Sequence, residues 1–250
     1  MALLKLKHLK NKYSLQSSNI VHVGAHRGQE VKDYIENFLN PTVHLFEPQK
    51  SLCDYLQAEF KEQKNIKIYN FGLGSINKSE KMFLSDNDGQ SSSFLKPKQH
   101  LEVHPEVKFS TNESFFKIKV FDELDIKNVD FLNIDTQGYE LEVLKGFKNN
   151  LSDSVRYIIL EINKKELYEG CPLVKDIDNF LSTFNFIRTD THYWMDSYPW
   201  GDAFYIKKDL LSKKRILLSR IKNYLYSYEI LYSFLIVTRN IIWKLRGKTS

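Results

Sequence analysis

Gly24 and Gly28 enclose Ala25, His26 and Arg27 at the end of the apolar run Asn19 to Val23, just before an amphipathic segment. Glycines at this spacing let a strand turn sharply into a helix, with backbone N–H groups turned towards a ligand. Many such turns in α/β proteins hold nothing, so the neighbouring residues decide. Glu47 closes the next apolar run, 23 residues after Gly24, close to the interval of about 20 at which an acidic residue meets a ribose in nucleotide-binding folds. A carboxylate accepts hydrogens from both ribose hydroxyls, which explains the residue type. Gly72 and Gly74 follow the third apolar run. The turn lacks G-x-G-x-x-G, and bulky His26 and Arg27 stand where a pyrophosphate would need close backbone approach. The pattern points to a nucleoside without that group. Its bland alternative is Glu47 as a cap for a helix starting near Pro48.

These residues need strands that end together. "NIVHV", "TVHLF" and "IKIYNF" read as buried strands, separated by segments with apolar residues at helical spacing: Val31, Tyr34, Ile35, Phe38 and Leu39, then Leu52, Tyr55, Leu56 and Phe60. Strand–helix–strand order predicts a parallel sheet with right-handed crossovers, whose ligands gather outside the carboxyl ends of the strands. "EKMFL" and "FFKIKVF" predict two more strands around the polar segment Ser85 to Ser114, a candidate lid. "VDFLNID" and "YIILEI" return to buried strands, with a helix carrying Leu141, Val143, Leu144 and Phe147 between them. A helix with Val174, Ile177, Phe180, Leu181 and Phe184 precedes a terminal hairpin of "FNFIRTD" and "DAFYIKK".

The chain has 250 residues, 42% hydrophobic and 14% aromatic, enough for one buried domain with an appendage. Cys53 and Cys171 are far apart, which argues against a disulfide framework or a cysteine metal site and fits a reducing, cytoplasmic compartment. The histidines lack compact ligand spacing, and no metal is expected. Residues 1–18 read as a lysine-rich leader without a secretory signal's apolar core. From Lys207 onward, 11 Lys and Arg face Asp209 and Glu229, a net of +9; residues 1–206 carry 25 against 29, or −4. The body gives no electrostatic reason to bind nucleic acid. In residues 209–250, Leu217, Ile221, Tyr224, Leu225, Tyr228, Leu231, Tyr232 and Leu235 share helical spacing. The longest uncharged stretch, Ile230 to Thr238, is far short of the ~20 residues needed to cross a bilayer. The tail is expected either to lie on an anionic membrane surface or to pack on its own body or on a second subunit of a homo-oligomer.

With "VGAHRGQ", "LFEP", "FGLG", "SSSF", "DFLNIDTQGYELEVLKGF", "LEI", "LYEG" and "GDAFYI" in order from Asn19 to Ile206, the chain resembles the FkbM-type S-adenosylmethionine-dependent methyltransferases. The resemblance implies a Rossmann-like methyltransferase fold over residues 19–208, a mostly parallel seven-stranded sheet with an antiparallel last strand. It implies S-adenosylmethionine as cofactor, held about His22, Gly24, Ala25, His26, Gly28, Glu47, Pro48, Gly72 and Asp135. The loop from Gly24 to Gly28 would approach the methionine part, Glu47 the ribose, and Asp135 the reaction centre. Where the family often has Asp and Glu, this chain has His22 and Gln137.

Methyl transfer from a sulfonium needs an aligned nucleophile, and a hydroxyl nucleophile must also lose its proton. Asp135 and Glu161, at the ends of adjacent predicted strands, are the acid/base candidates. Their bland readings are a helix N-cap for Asp135 and an ion pair with Lys164 for Glu161. The expected acceptor is a small molecule or glycan, with a sugar hydroxyl as target. "DNDGQSSSFLKPKQH" and "YWMDSYPWGD" offer polar and aromatic groups to hold it. A nicotinamide oxidoreductase is disfavoured by the missing G-x-G-x-x-G. A non-catalytic, membrane-associated scaffold of the same fold would bind cofactor without turnover.

Overall fold

The computed structural model describes residues 4–193 and 199–226. In chain order, α1 (Leu6–Tyr13), β1 (Asn19–Val23), α2 (Val31–Asn37), β2 (Thr42–Phe46), α3 (Lys50–Glu59) and β3 (Ile66–Tyr69) come first. β4 (Gly72–Leu73), β5 (Lys78–Met82), the single turn α4 (His100–Val103) and β6 (Ser114–Lys119) follow. The second half holds β7 (Phe131–Ile134), α5 (Glu140–Lys145), α6 (Lys148–Asp153), β8 (Tyr157–Asn163), α7 (Val174–Thr183), β9 (Phe186–Tyr193), β10 (Trp200–Lys207) and α8 (Lys213–Tyr226).

The main sheet runs β3-β2-β1-β7-β8-β10-β9, and β4-β6-β5 form a small second sheet. Only β10, last in the chain, is antiparallel, to both β8 and β9. This is the Rossmann-like methyltransferase arrangement. The sheet is buried on both faces because β1 alternates: Ile20 joins Leu9, Tyr34 and Phe131 on one side, while Val21 and Val23 join Ile134, Leu144 and Leu160 on the other. Leu6 and Leu9 bind α1 into the first of these layers, so residues 4–18 are part of the packed body.

Register determines what reaches the ligand edge. Val23 pairs with Phe46 and Ile134, and Ile134 with Leu160, so Gly24, Glu47, Asp135 and Glu161 stand in one row. Asp202, opposite Glu161 on β10, extends the row.

Three local readings need correction. α2 ends at Asn37 and Phe38 is already extended, so Phe38 is buried while Leu39 is 89% exposed and Ile35 also faces outward. Tyr55 is half exposed beneath the Arg27 guanidinium rather than in the core. The helix expected through Leu141 to Phe147 is two helices. The Gly146 carbonyl accepts from Asp122 N (3.0 Å), and the Asp122 carboxylate caps α6 by accepting from Asn149 N (2.7 Å).

Candidate active site

The chain crosses from β1 into the glycine turn with Gly24 at φ 79°, and a Cβ there would lie 1.8 Å from the Asp135 carbonyl oxygen. Gly24 N and Ala25 N donate to Phe46 O (3.0 and 3.1 Å), and Asp135 N donates to Val23 O (2.9 Å). The turn is thus fastened to the ends of β2 and β7. Glu47 holds it from behind: its carboxylate accepts from His26 N (3.0 Å) and from Gln49 N (2.9 Å) at the start of α3. Glu47 thus braces the entry to α3 without capping its first turn, and each oxygen keeps a lone pair for another donor. Burial pushes the Glu47 carboxyl up to about 7.

These residues line a cavity of about 540 Å³, within the ordinary range for small-molecule sites. His22, Gly24, Ala25, His26, Glu47, Pro48 and Gly72 line one half. Gly28 does not reach it: a Cβ there would point at Phe60 and Leu56, so the residue serves the turn and its packing on α3. His22 is buried and its pKa is lowered by that burial. Asn133 Nδ2 donates to Tyr34 Oη (2.6 Å), which leaves the Tyr34 hydroxyl to donate to His22 Nδ1 (3.3 Å) and makes Nε2 the protonated nitrogen. A neutral imidazole so arranged is a donor, suited to a carboxylate oxygen where an Asp would suit an ammonium.

Asp135 and Glu161 share the cavity floor, bridged by one side chain. Gln137 Nε2 donates to Asp135 Oδ1 (2.8 Å) and to Glu161 Oε2 (2.9 Å). Gln137 sits at φ 54° and is held in turn by Tyr168 Oη on its Oε1 (3.2 Å) and Ser93 Oγ on its carbonyl (2.7 Å). Asp135 is not the helix cap. α5 starts at Glu140 without a side-chain cap, and Glu140 instead braces the turn before it, accepting from Thr136 N (3.1 Å) and Gly138 N (3.0 Å), so the Asp135 carboxylate stays open to the cavity. Lys164 lies over the Tyr193 ring, and Glu161 bonds Gln137. Burial raises both carboxyls. Asp135 is restrained by the Gln137 bond, whereas Glu161 is driven well above the carboxylate range by burial and by Asp135, Glu140 and Asp202. Burial thus disfavours charge on both carboxyls, and the charge of Asp135 beside it disfavours a second one on Glu161.

The polar segment after β5 roofs this cavity. Asn87, Ser91, Ser92 and His100 line it from above, and Trp200 and Asp202 from the side. Ser91 O accepts from Tyr168 Oη (3.0 Å), Lys98 N donates to Leu167 O (2.8 Å), and Arg27 pairs with Asp88 (3.1 Å). Residues 194–198 of the aromatic–polar run lie outside the described residues. Sequence reasoning missed the bridging role of Gln137 and the supports Tyr34, Asn133 and Tyr168. All four depend on long-range contacts that carry no local signature. Among the described residues no three His, Cys, Asp or Glu cluster as metal ligands.

The profile of the methyltransferase FkbM domain matches residues 22–188. The chain belongs to the FkbM methyltransferase family. It is 25% identical to the 2-O-methyltransferase NoeI of Sinorhizobium fredii over 179 residues, 67% of this chain and 72% of that protein. A crystal structure of methyltransferase FkbM from Methylobacillus flagellatus superposes with a TM-score of 0.52 at 15% identity. The match covers 77% of this chain and 44% of that one, so the chain spans less than half the length of that relative. The magnesium protoporphyrin IX methyltransferase of Synechocystis, with bound S-adenosylmethionine, matches at TM-score 0.46 and 12% identity, covering 80% of this chain and 75% of that one. The family's methyl donor, and the cofactor of this chain, is S-adenosylmethionine. The cavity fits it: the Gly24 backbone leaves no Cβ at the turn, Glu47 offers acceptors for a ribose diol, and no pyrophosphate cradle is present among the described residues.

Proposed function

We propose that this methyltransferase acts on a hydroxyl oxygen of a saccharide. The observation that carries this reading is the Asp135–Gln137–Glu161 arrangement, two carboxyls bridged by one amide on the floor of a roofed cavity. When bound, S-adenosylmethionine supplies an electrophilic methyl carbon on a sulfonium. Asp135 would take the proton of the acceptor hydroxyl as that oxygen is methylated. Gln137 keeps the Asp135 carboxylate oriented, and Glu161 limits the negative charge on the floor. Glu47 and the turn at Gly24 hold the nucleoside and methionine ends, while the roof excludes water. Trp200 beside Asp202 supplies the aromatic and polar pairing that sugar rings use, and the similarity to a protein named as a 2-O-methyltransferase supports oxygen as the target. The test is release of S-adenosylhomocysteine in the presence of oligosaccharides, with no release in their absence.

We also propose that the enzyme works at the cytoplasmic face of an anionic membrane. α8 packs on β9 through its polar side, where Lys222 Nζ donates to Thr189 O (3.3 Å) and Asn223 Nδ2 to Arg188 O (2.9 Å). Leu217, Leu218, Ile221 and Tyr224 are exposed on the other side, among Lys213, Lys214 and Arg220. An apolar stripe rimmed by cations is the pattern of an interfacial helix. The continuation of the tail from 227 to 250 lies outside the described residues, and no described helix is long and apolar enough to cross a membrane.

A further inference from the structure

The charge of the cavity limits what the acceptor can be. Six carboxyl side chains line it: Glu30, Glu47, Glu106, Asp135, Glu161 and Asp202. Although the chain has 36 Lys and Arg, none lines the cavity among the described residues. Arg27, inside the glycine turn, is directed instead to Asp88 and the Tyr55 ring. Sites that hold phosphate or carboxylate groups rely on guanidinium or ammonium side chains, or on a helix N-terminus aimed at the anion. A phosphate or carboxylate carried in by the acceptor would meet Glu106, Asp135 and Asp202 with no ammonium or guanidinium to offset them.

A second observation concerns the roof. His100 is 3% exposed and lines the cavity, and its Nδ1 is buried without a hydrogen-bond partner. The ring is wedged among His104, Phe109 and Tyr168, with ring centres 5.1 to 5.4 Å away. Burial, with His104 alongside, lowers its pKa to about 4, so it stays neutral and adds no cation to the roof. A buried polar ring left without a partner is costly unless a ligand completes it. A neutral imidazole completes a hydroxyl, as donor or acceptor, and has no charge to offer an anion. Ser91 and Asn87 on the same roof are also uncharged.

We propose that the acceptor subsite takes an uncharged, hydroxyl-rich saccharide, with His100 as a specificity-determining contact, and rejects phosphorylated, nucleotide-linked and carboxylated sugars. This rests on the methyltransferase reading above and narrows its substrate class.

The experiment uses the full chain, with S-adenosylmethionine binding first established by calorimetry. Cellular saccharides are divided by anion exchange into uncharged and acidic pools, and each is incubated with enzyme and methyl-radiolabelled cofactor. Label entering the uncharged pool alone is the expected result. Label entering the acidic pool, or neither pool with an enzyme that binds cofactor, overturns the proposal. Failure to bind the cofactor at all overturns the methyltransferase reading beneath it. With the uncharged pool as substrate, His100→Phe should raise KM at least tenfold with cofactor Kd and melting temperature unchanged. His100→Gln, which restores a polar atom, should recover part of the loss. An unchanged KM in a folded His100→Phe protein contradicts the assigned contact.

Discussion

Replacing Glu47 by Gln separates what the carboxylate does for the cofactor from what it costs the fold. The folded carboxyl titrates near 7 against an ordinary value of 4.5, because burial disfavours its charge. A raised acid binds its proton more tightly in the folded state, so wild-type stability is intact below 4.5 and falls as pH rises from there through 7. The rise from 4.5 to about 7 corresponds to about 3 kcal/mol at full effect. Gln carries no titrating group, though its amide must set one N–H against either His26 N or Gln49 N, a constant cost that is independent of pH. Urea denaturation of the ligand-free proteins should show the variant gaining about 3 kcal/mol on wild type between pH 4.5 and pH 8. Cofactor binding should move the opposite way. Hydrogen bonds to a charged group contribute about 1.5–3 kcal/mol each; weakening two from a ribose diol removes about 3 kcal/mol, or about 150-fold in Kd at pH 8. Because the ionised form is the acceptor, wild-type affinity should itself rise with pH towards a plateau above 7. A stability difference that stays flat across this range, or an unchanged Kd, refutes the placement of Glu47 as a buried acceptor for the ribose.

Asp135→Asn should keep its melting temperature and lose about 10²- to 10⁴-fold in kcat, as removal of a general base does; full activity would make Asp135 dispensable. Gly24→Ala should lose cofactor binding and about 1–3 kcal/mol of stability, since its Cβ meets the Asp135 carbonyl at 1.8 Å and its φ is 79°; a protein that melts and binds like wild type would contradict the turn geometry. Leu217→Glu with Ile221→Glu should leave the melting temperature unchanged while abolishing flotation with anionic vesicles at low salt; equal flotation would remove α8 from the membrane contact.

Much of the fold was legible because buried strands and amphipathic helices leave periodic patterns. "NIVHV", "TVHLF", "VDFLNID" and "YIILEI" all became parallel strands, and their ends carry Gly24, Glu47, Asp135 and Glu161 into one row. The terminal hairpin and the roof over the cavity were likewise readable from the alternation of apolar and polar runs. Helix ends were harder. Leu39 continues the spacing of α2, but the chain leaves the helix at Phe38, and Asp122, far earlier in the chain, splits the helix after Lys145. Gly28 shows the limit of a motif, because the spacing of two glycines does not say which of them faces the ligand. Gln137 was readable only as a departure from the Glu that the family often has. Its role as the bridge between two carboxylates appears once β7 and β8 lie side by side. The apolar face of α8 was correctly traced through Leu217, Ile221 and Tyr224, yet spacing alone could not tell that this face turns away from the body.

Isotopic labelling is the direct measurement of methyl transfer to a saccharide oxygen. Purified full-length protein is incubated with trideuteromethyl S-adenosylmethionine and a saccharide extract, and the labelled product is fragmented by mass spectrometry. A trideuteromethyl group is expected on a sugar hydroxyl oxygen, absent with Asp135→Asn. A label on nitrogen or carbon, on a molecule that is not a saccharide, or undiminished in that variant would contradict it.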